Sequence, residues 1–165
     1  MVKRKKNSLD IGYLFASPLI YEAKEVKGTL REVSAIRFQD EIEIIKQAVH
    51  ESHQAITFKS KVATHSNFVE IINKQPRILH ISCHGLHDDQ RMNASPNLHP
   101  TEDDYNYLLF ENDLAVGVRI SANELLKLVR QTLTSLDLVF VAACDSEIVG
   151  KIFQRCGAQH VICVK

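Results

Sequence analysis

The sequence predicts an α/β fold with a mainly parallel sheet between layers of helix. Three observations lead there. Short apolar runs of strand length alternate along the chain with segments whose apolar residues recur at helical spacing. Two of those runs, RILHIS at 77–82 and LVFVA at 138–142, are apolar on both faces, as strands covered on either side must be. The chain of 165 residues is 45% hydrophobic and 24% charged, enough apolar matter for one ordinary core and too much for a disordered chain.

Each element has a local reason. Residues 1–8, with the basic run Lys3-Arg4-Lys5-Lys6, read as a frayed, solvated tail ahead of a domain at 9–165. Leu9 to Ala16 forms a first strand, ended by Ser17-Pro18 because proline cannot continue a ladder. Tyr21 to Gly28 is charged and reads as a loop. Ile42, Ile45 and Val49 predict a helix over Asp40–His50, with Leu30, Val33 and Ile36 extending it towards Thr29. Ala55 to Val62 alternates as a half-exposed strand. Thr64 caps a helix to Lys74 whose inner face is Phe68, Ile71 and Ile72, and Pro76 closes it.

The run 77–82 then leads into Cys83-His84-Gly85. Residues 86–105 hold two prolines, two histidines and several carboxylates, and read as one long surface loop. Tyr107–Phe110 and Ala115–Ile120 form a small hairpin. Ser121 caps a helix with Leu125, Leu126, Leu128 and Val129. The run 138–142 is followed by Asp145 and Ser146 as a helix cap, a helix to about Cys156, and a last strand at 159–164.

Cys144 therefore falls where a buried strand ends and a helix begins, the edge at which open α/β sheets bind ligands. A helix N-terminus beside a thiol favours the thiolate. His84 falls at the end of another strand. Parallel strands joined by a crossover end on the same edge, and neighbours lie about 4.8 Å apart, within reach of a Cys–His pair bridged by a substrate carbonyl. Histidine supplies proton transfer near neutral pH. Gly85 has no side chain, so its N–H and that of Cys144 are candidate donors to an oxyanion.

These residues resemble a known family. ILHISCHG followed about sixty residues later by LVFVAACDSE is similar to the CHAT domain, a branch of the caspase–separase group of cysteine proteases. The opening YLFASPL, REVSAIRFQDEIEIIKQAV, YLLFENDLAVGVRISANELLKLV and the closing GAQHVICV resemble the family's segments in order. The resemblance implies a caspase-like three-layer α/β/α sandwich with a small β-hairpin insertion, and a cysteine endopeptidase cleaving protein or peptide substrates. It implies His84 and Cys144 as the catalytic dyad, and Gly85 with Cys144 as the oxyanion hole. It also implies a further helix and strands beyond Lys165, so the domain is expected to be incomplete at its C-terminus. The alternative is an inactive or incomplete module working through protein–protein contacts, with a regulatory or helical-repeat partner.

Other residues take plainer readings. Strand alternation turns Cys83 away from His84 into the core, and Cys156 and Cys163 are structural. His80 is a hydrogen-bonded core histidine. Asp145 belongs to the helix cap rather than to the dyad. Cys83, His84, His87, Asp88 and His99 match no paired ligand spacing, so no metal is expected. The six glycines form no nucleotide-binding pattern, so no cofactor is expected. Glu102-Asp103-Asp104 is a solvated charge run. Twenty basic and twenty acidic residues cancel, which argues against nucleic acid or a membrane surface as partner. Four scattered cysteines form neither a disulfide framework nor a CxxC pair, so the thiols are expected reduced and the protein cytoplasmic.

Overall fold

The computed structural model describes residues 9–23, 28–87, 106–130 and 136–164. In chain order the elements are β1 (Ile11–Phe15), β2 (Ile20–Glu22), β3 (Leu30–Glu32), α1 (Phe38–Glu51), β4 (Phe58–Val62), α2 (His65–Asn73), β5 (Ile78–Ser82), β6 (His84–His87), β7 (Asn106–Glu111), β8 (Gly117–Ser121), α3 (Ala122–Arg130), β9 (Leu138–Ala142), α4 (Glu147–Arg155) and β10 (His160–Cys163). The basic tail, the acidic run at 102–104, Asp88 and His99 lie outside the described residues.

The strands rich in β-branched and aromatic residues assemble into a five-stranded sheet in the order β10–β9–β5–β1–β4, with every neighbouring pair parallel. Its two faces follow from the two-residue period of a strand. Leu14, Leu79, Ile81, Val139 and Val141 meet Phe68, Ile71 and Ile72 of α2 and Val149 and Phe153 of α4 in one core. Tyr13, His80 and Phe140 stand in register on the opposite face, their rings edge to face at 4.7 Å in both steps. There α1 lies across them: Phe38 stacks on Phe15 at 4.2 Å, and the Tyr13 hydroxyl donates to Glu41 at 2.6 Å. Helices on both faces make the α/β/α sandwich.

Side-chain caps set the starts of α2 and α3. Thr64 Oγ1 accepts from the Asn67 N–H, as its position ahead of α2 requires. Ser121 and Glu124 form a reciprocal capping box at α3: the Glu124 N–H donates to Ser121 Oγ at 3.2 Å and the Ser121 N–H to Glu124 Oε2 at 2.8 Å. On the edge strand β4, Lys59 and Lys61 both pair with Glu70 of α2. The Lys59 and Lys61 ammonium groups hold the Glu70 carboxyl down at about 2, and these half-buried lysines also blunt the edge against further pairing.

Three expectations are corrected. Thr29–Ile36 does not extend the helix: Leu30–Glu32 pairs antiparallel with Ile20–Glu22, which was expected as loop at Tyr21 and Glu22. Apolar spacing alone cannot hold a helix with no surface to bury, and Leu30 stays 56% exposed. The hairpin β7–β8 is no small insertion but the middle of a second sheet, in the order β3–β2–β8–β7–β6. Leu86 and His87 are strand rather than loop, because β6 pairs antiparallel with β7 through His84↔Leu109 to His87↔Asn106. Among the described residues no helix is long and apolar enough to cross a membrane.

Candidate active site

β5 and β9 run side by side, and their last paired residues are Ser82 and Ala142. One further tie, from the Cys83 N–H to the Ala142 carbonyl at 3.2 Å, holds the two chains together as they leave the sheet. His84 and Cys144 are each two residues past that last pair. Beyond it the chains part: His84 opens β6 in the second sheet, whereas Cys144 enters the turn to α4.

The two turns meet through Gly85. A Cβ placed on Gly85 would stand 1.7 Å from the Cys144 carbonyl oxygen, 2.8 Å from its carbonyl carbon and 3.1 Å from its nitrogen. Any side chain there collides with the Cys144 backbone itself, which has no flexible end to move aside. The glycine that follows His84 is therefore what lets the two strand ends close on each other.

His84 is half-buried, and its ring Nε2 lies 2.7 Å from the carbonyl oxygen of Ser34 in the segment leading into α1. A carbonyl only accepts, so this partner assigns the hydrogen to Nε2. In the neutral ring Nδ1 then carries the lone pair and is the nitrogen able to take a proton.

Cys144 is exposed, in contrast to its neighbour Ala143 in the core. The turn after it is held by Ser146. Its N–H donates to the Val164 carbonyl at 3.1 Å, its hydroxyl accepts from the Val164 N–H at 3.1 Å, and the Val141 carbonyl lies 3.3 Å from the hydroxyl. This corrects the expected cap: Ser146 precedes α4, but its hydroxyl turns to β9 and the end of β10 instead of to a helix N–H. Asp145 takes a left-handed conformation (φ 49°), which Asp tolerates better than most residues, and makes the chain reverse there. Ser146→Ala is expected to lower stability by about 1–2 kcal/mol, since it orphans the Val164 N–H at a site only partly open to water. Urea unfolding checks it; an unchanged midpoint would mean that the hydroxyl does not hold the turn.

The remaining cysteines differ in kind. Cys83 is 2% exposed, and burial pushes its thiol up to about 12 against a smaller opposing effect of the Leu109 backbone. Cys156 and Cys163 are half-buried, and burial also raises the Cys156 thiol. His80 departs from its expected role. Its Nε2 is 3.3 Å from Glu41 Oε1 but has no hydrogen-bond geometry, and burial lowers its pKa although Glu41 pulls the other way. A ring kept neutral beside one carboxylate, with two aromatic neighbours, is packing material. His87 turns to Asn106 Oδ1 at 3.2 Å, across the β6–β7 pair. A cleft of about 950 Å³ lined by Tyr107, Arg119, Lys127 and Arg130 includes neither His84 nor Cys144.

The sequence reading missed Ser34 and the true role of Ser146. Ser34 contributes only its carbonyl, which every residue has, so no side-chain signal existed. Ser146 is legible as a polar residue beside a helix, and the nearer explanation, a cap, hid the distant one.

A protein-family model described as the CHAT domain matches residues 13–164, which includes both strand ends, the Ser34 segment and the Ser146 turn. A search of curated proteins finds no match.

Proposed function

This chain belongs to the CHAT domain family, and on that premise we propose that it is a cysteine endopeptidase whose reacting groups are Cys144 and His84. The observation that supports the reading best is the abutment of Gly85 on the Cys144 peptide, next to a histidine with one nitrogen tied down. His84 Nδ1 takes the proton from Cys144 Sγ, and the sulfur attacks the carbonyl carbon of the scissile peptide. The oxyanion is received by the N–H groups of Gly85 and Cys144. His84 Nδ1 then returns the proton to the leaving amine, the C–N bond breaks, and a thioester joins Cys144 to the N-terminal part of the substrate. Water, deprotonated by the same nitrogen, hydrolyses the thioester and restores the thiol. The Ser34 carbonyl steadies the imidazolium formed in both halves.

Neither metal nor organic cofactor enters this scheme; the substrate is a protein or peptide. The proton transfers are local, so the first test needs no substrate. Site-resolved alkylation between pH 5 and 9 should label Cys144 far faster than Cys156 and Cys163 at the acid end, and leave Cys83 unlabelled. His84→Ala should cut the Cys144 rate by about 10²-fold, the lower end of what a positioned base contributes. Cleavage of a peptide library, lost in Cys144→Ala, is the second test. A Cys144 that reacts like an ordinary thiol with or without His84 would overturn the protease reading and favour a module that works through protein contacts.

A further inference from the structure

The histidine's carbonyl partner is itself held in place, by a side chain far away in sequence. Ser34 lies in an irregular segment ahead of α1, and α1 has no fully buried residue of its own to anchor it. Two hydrogen bonds donated by backbone N–H groups bracket the Ser34 carbonyl. On one side the Val33 N–H donates to the Leu19 carbonyl at 3.0 Å; on the other the Ile36 N–H donates to Ser17 Oγ at 2.8 Å. Ser17 is in turn fixed from the second sheet, for its N–H donates to Glu111 Oε1 at 2.7 Å. Glu111 sits at the end of β7, and its own N–H donates to the Ala63 carbonyl beyond β4. A line of directed hydrogen bonds thus runs from Glu111 through Ser17 to Ile36, whose peptide adjoins the one that receives the His84 Nε2–H.

We propose that Ser17 is a positioning residue for His84: its hydroxyl holds the Ser34 carbonyl at the imidazole and thereby locks the ring as the Nε2–H tautomer, with Nδ1 left free for the thiol of Cys144. The inference rests on the reading of His84 as the base, and it deepens that reading. The geometry favours Ser17 over the other ties because, among the described residues, its hydroxyl is the side-chain contact within two residues of Ser34 on the α1 side. Phe38 on Phe15 and Glu41 on Tyr13 hold the helix to the sheet, but they act four and seven residues further on. An unlocked segment would let the carbonyl drift, and the ring would then share its hydrogen between both nitrogens. A base in the wrong tautomer cannot accept the thiol proton where it is needed.

Nitrogen NMR of the His84 ring, at a pH where it is neutral, reads the tautomer directly and independently of any turnover. The same samples are alkylated at Cys144. Wild type should show a single Nε2–H form, and Ser17→Thr, which keeps the hydroxyl, should match it. Ser17→Ala should show both tautomers and a Cys144 labelling rate lower by about tenfold to a hundredfold, the scale of a misplaced reacting group. Should Ser17→Ala fail to fold, Ser17→Cys, with a weak acceptor of similar size, carries the same expectation. A Ser17→Ala or Ser17→Cys protein that retains the single tautomer overturns the inference. Failure of the protease reading shows elsewhere, as wild-type labelling of Cys144 that is indifferent to His84→Ala.

Discussion

Gly85→Ala is expected to lower the alkylation rate of Cys144 by up to about 10²-fold, the same loss as removing the imidazole of His84, and to cost about 1–3 kcal/mol of stability through overpacking. The cause is contact and not conformational freedom. The added methyl would stand 1.7 Å from the Cys144 carbonyl oxygen, far inside any tolerated approach. Two responses are open to the chain. β6 moves away from the turn, which disturbs its pairing with β7 and carries His84 with it, because His84 and Gly85 pair with Leu109 and Leu108. Otherwise the Cys144 backbone shifts, which moves its N–H away from the site and pulls on the Ser146 anchor. Both responses separate Cys144 from His84. Alkylation at pH 6 and thermal unfolding of the same variant measure the two effects together. A variant that melts and labels like wild type would show that the two turns do not touch, and the proposed site would lose its main support.

Phe153→Ala is expected to produce the larger loss of stability, about 3–5 kcal/mol, the usual cost of removing a fully buried aromatic ring. Phe153 is 0% exposed and belongs to the core shared by α2, α4 and the central sheet. Its helix, α4, packs directly on β10. Gly150, one turn earlier on the same helix, packs so closely that a Cβ there would lie 3.0 Å from Cys163 Sγ and 3.2 Å from Val161. With Phe153 truncated the helix is free to rock on that contact. Cys163 and Cys156, half-buried in the native protein, should then become readily alkylated at neutral pH, while the order of the Cys144 turn degrades with its helix. Urea unfolding combined with cysteine mapping separates these effects. A loss below about 1 kcal/mol would mean that the core closes over the gap.

The sequence by itself determined the central sheet and the ends of its strands. β5 and β9 are legible because a strand buried on both faces must be apolar at every position, whatever its neighbours are. The start of α2 at Thr64 and of α3 at Ser121 is legible because capping is a matter of three or four adjacent residues. The burial of Cys83 follows from alternation, and His84, Gly85 and Cys144 are marked as candidates by standing where strands stop. Only the tertiary structure decided the rest. The small strands at Ile20–Glu22 and Leu30–Glu32, the transfer of the chain from one sheet to the other at Cys83, the bond from His84 to the Ser34 carbonyl and the turn of Ser146 towards Val164 all depend on partners distant in the chain. The His84 and Ser146 bonds join residues 50 and 18 positions apart, and the small strands and the transfer at Cys83 use backbone groups that every residue possesses. Local patterning records which surfaces a segment must bury; it holds no record of which distant donor will find which acceptor once those surfaces are buried.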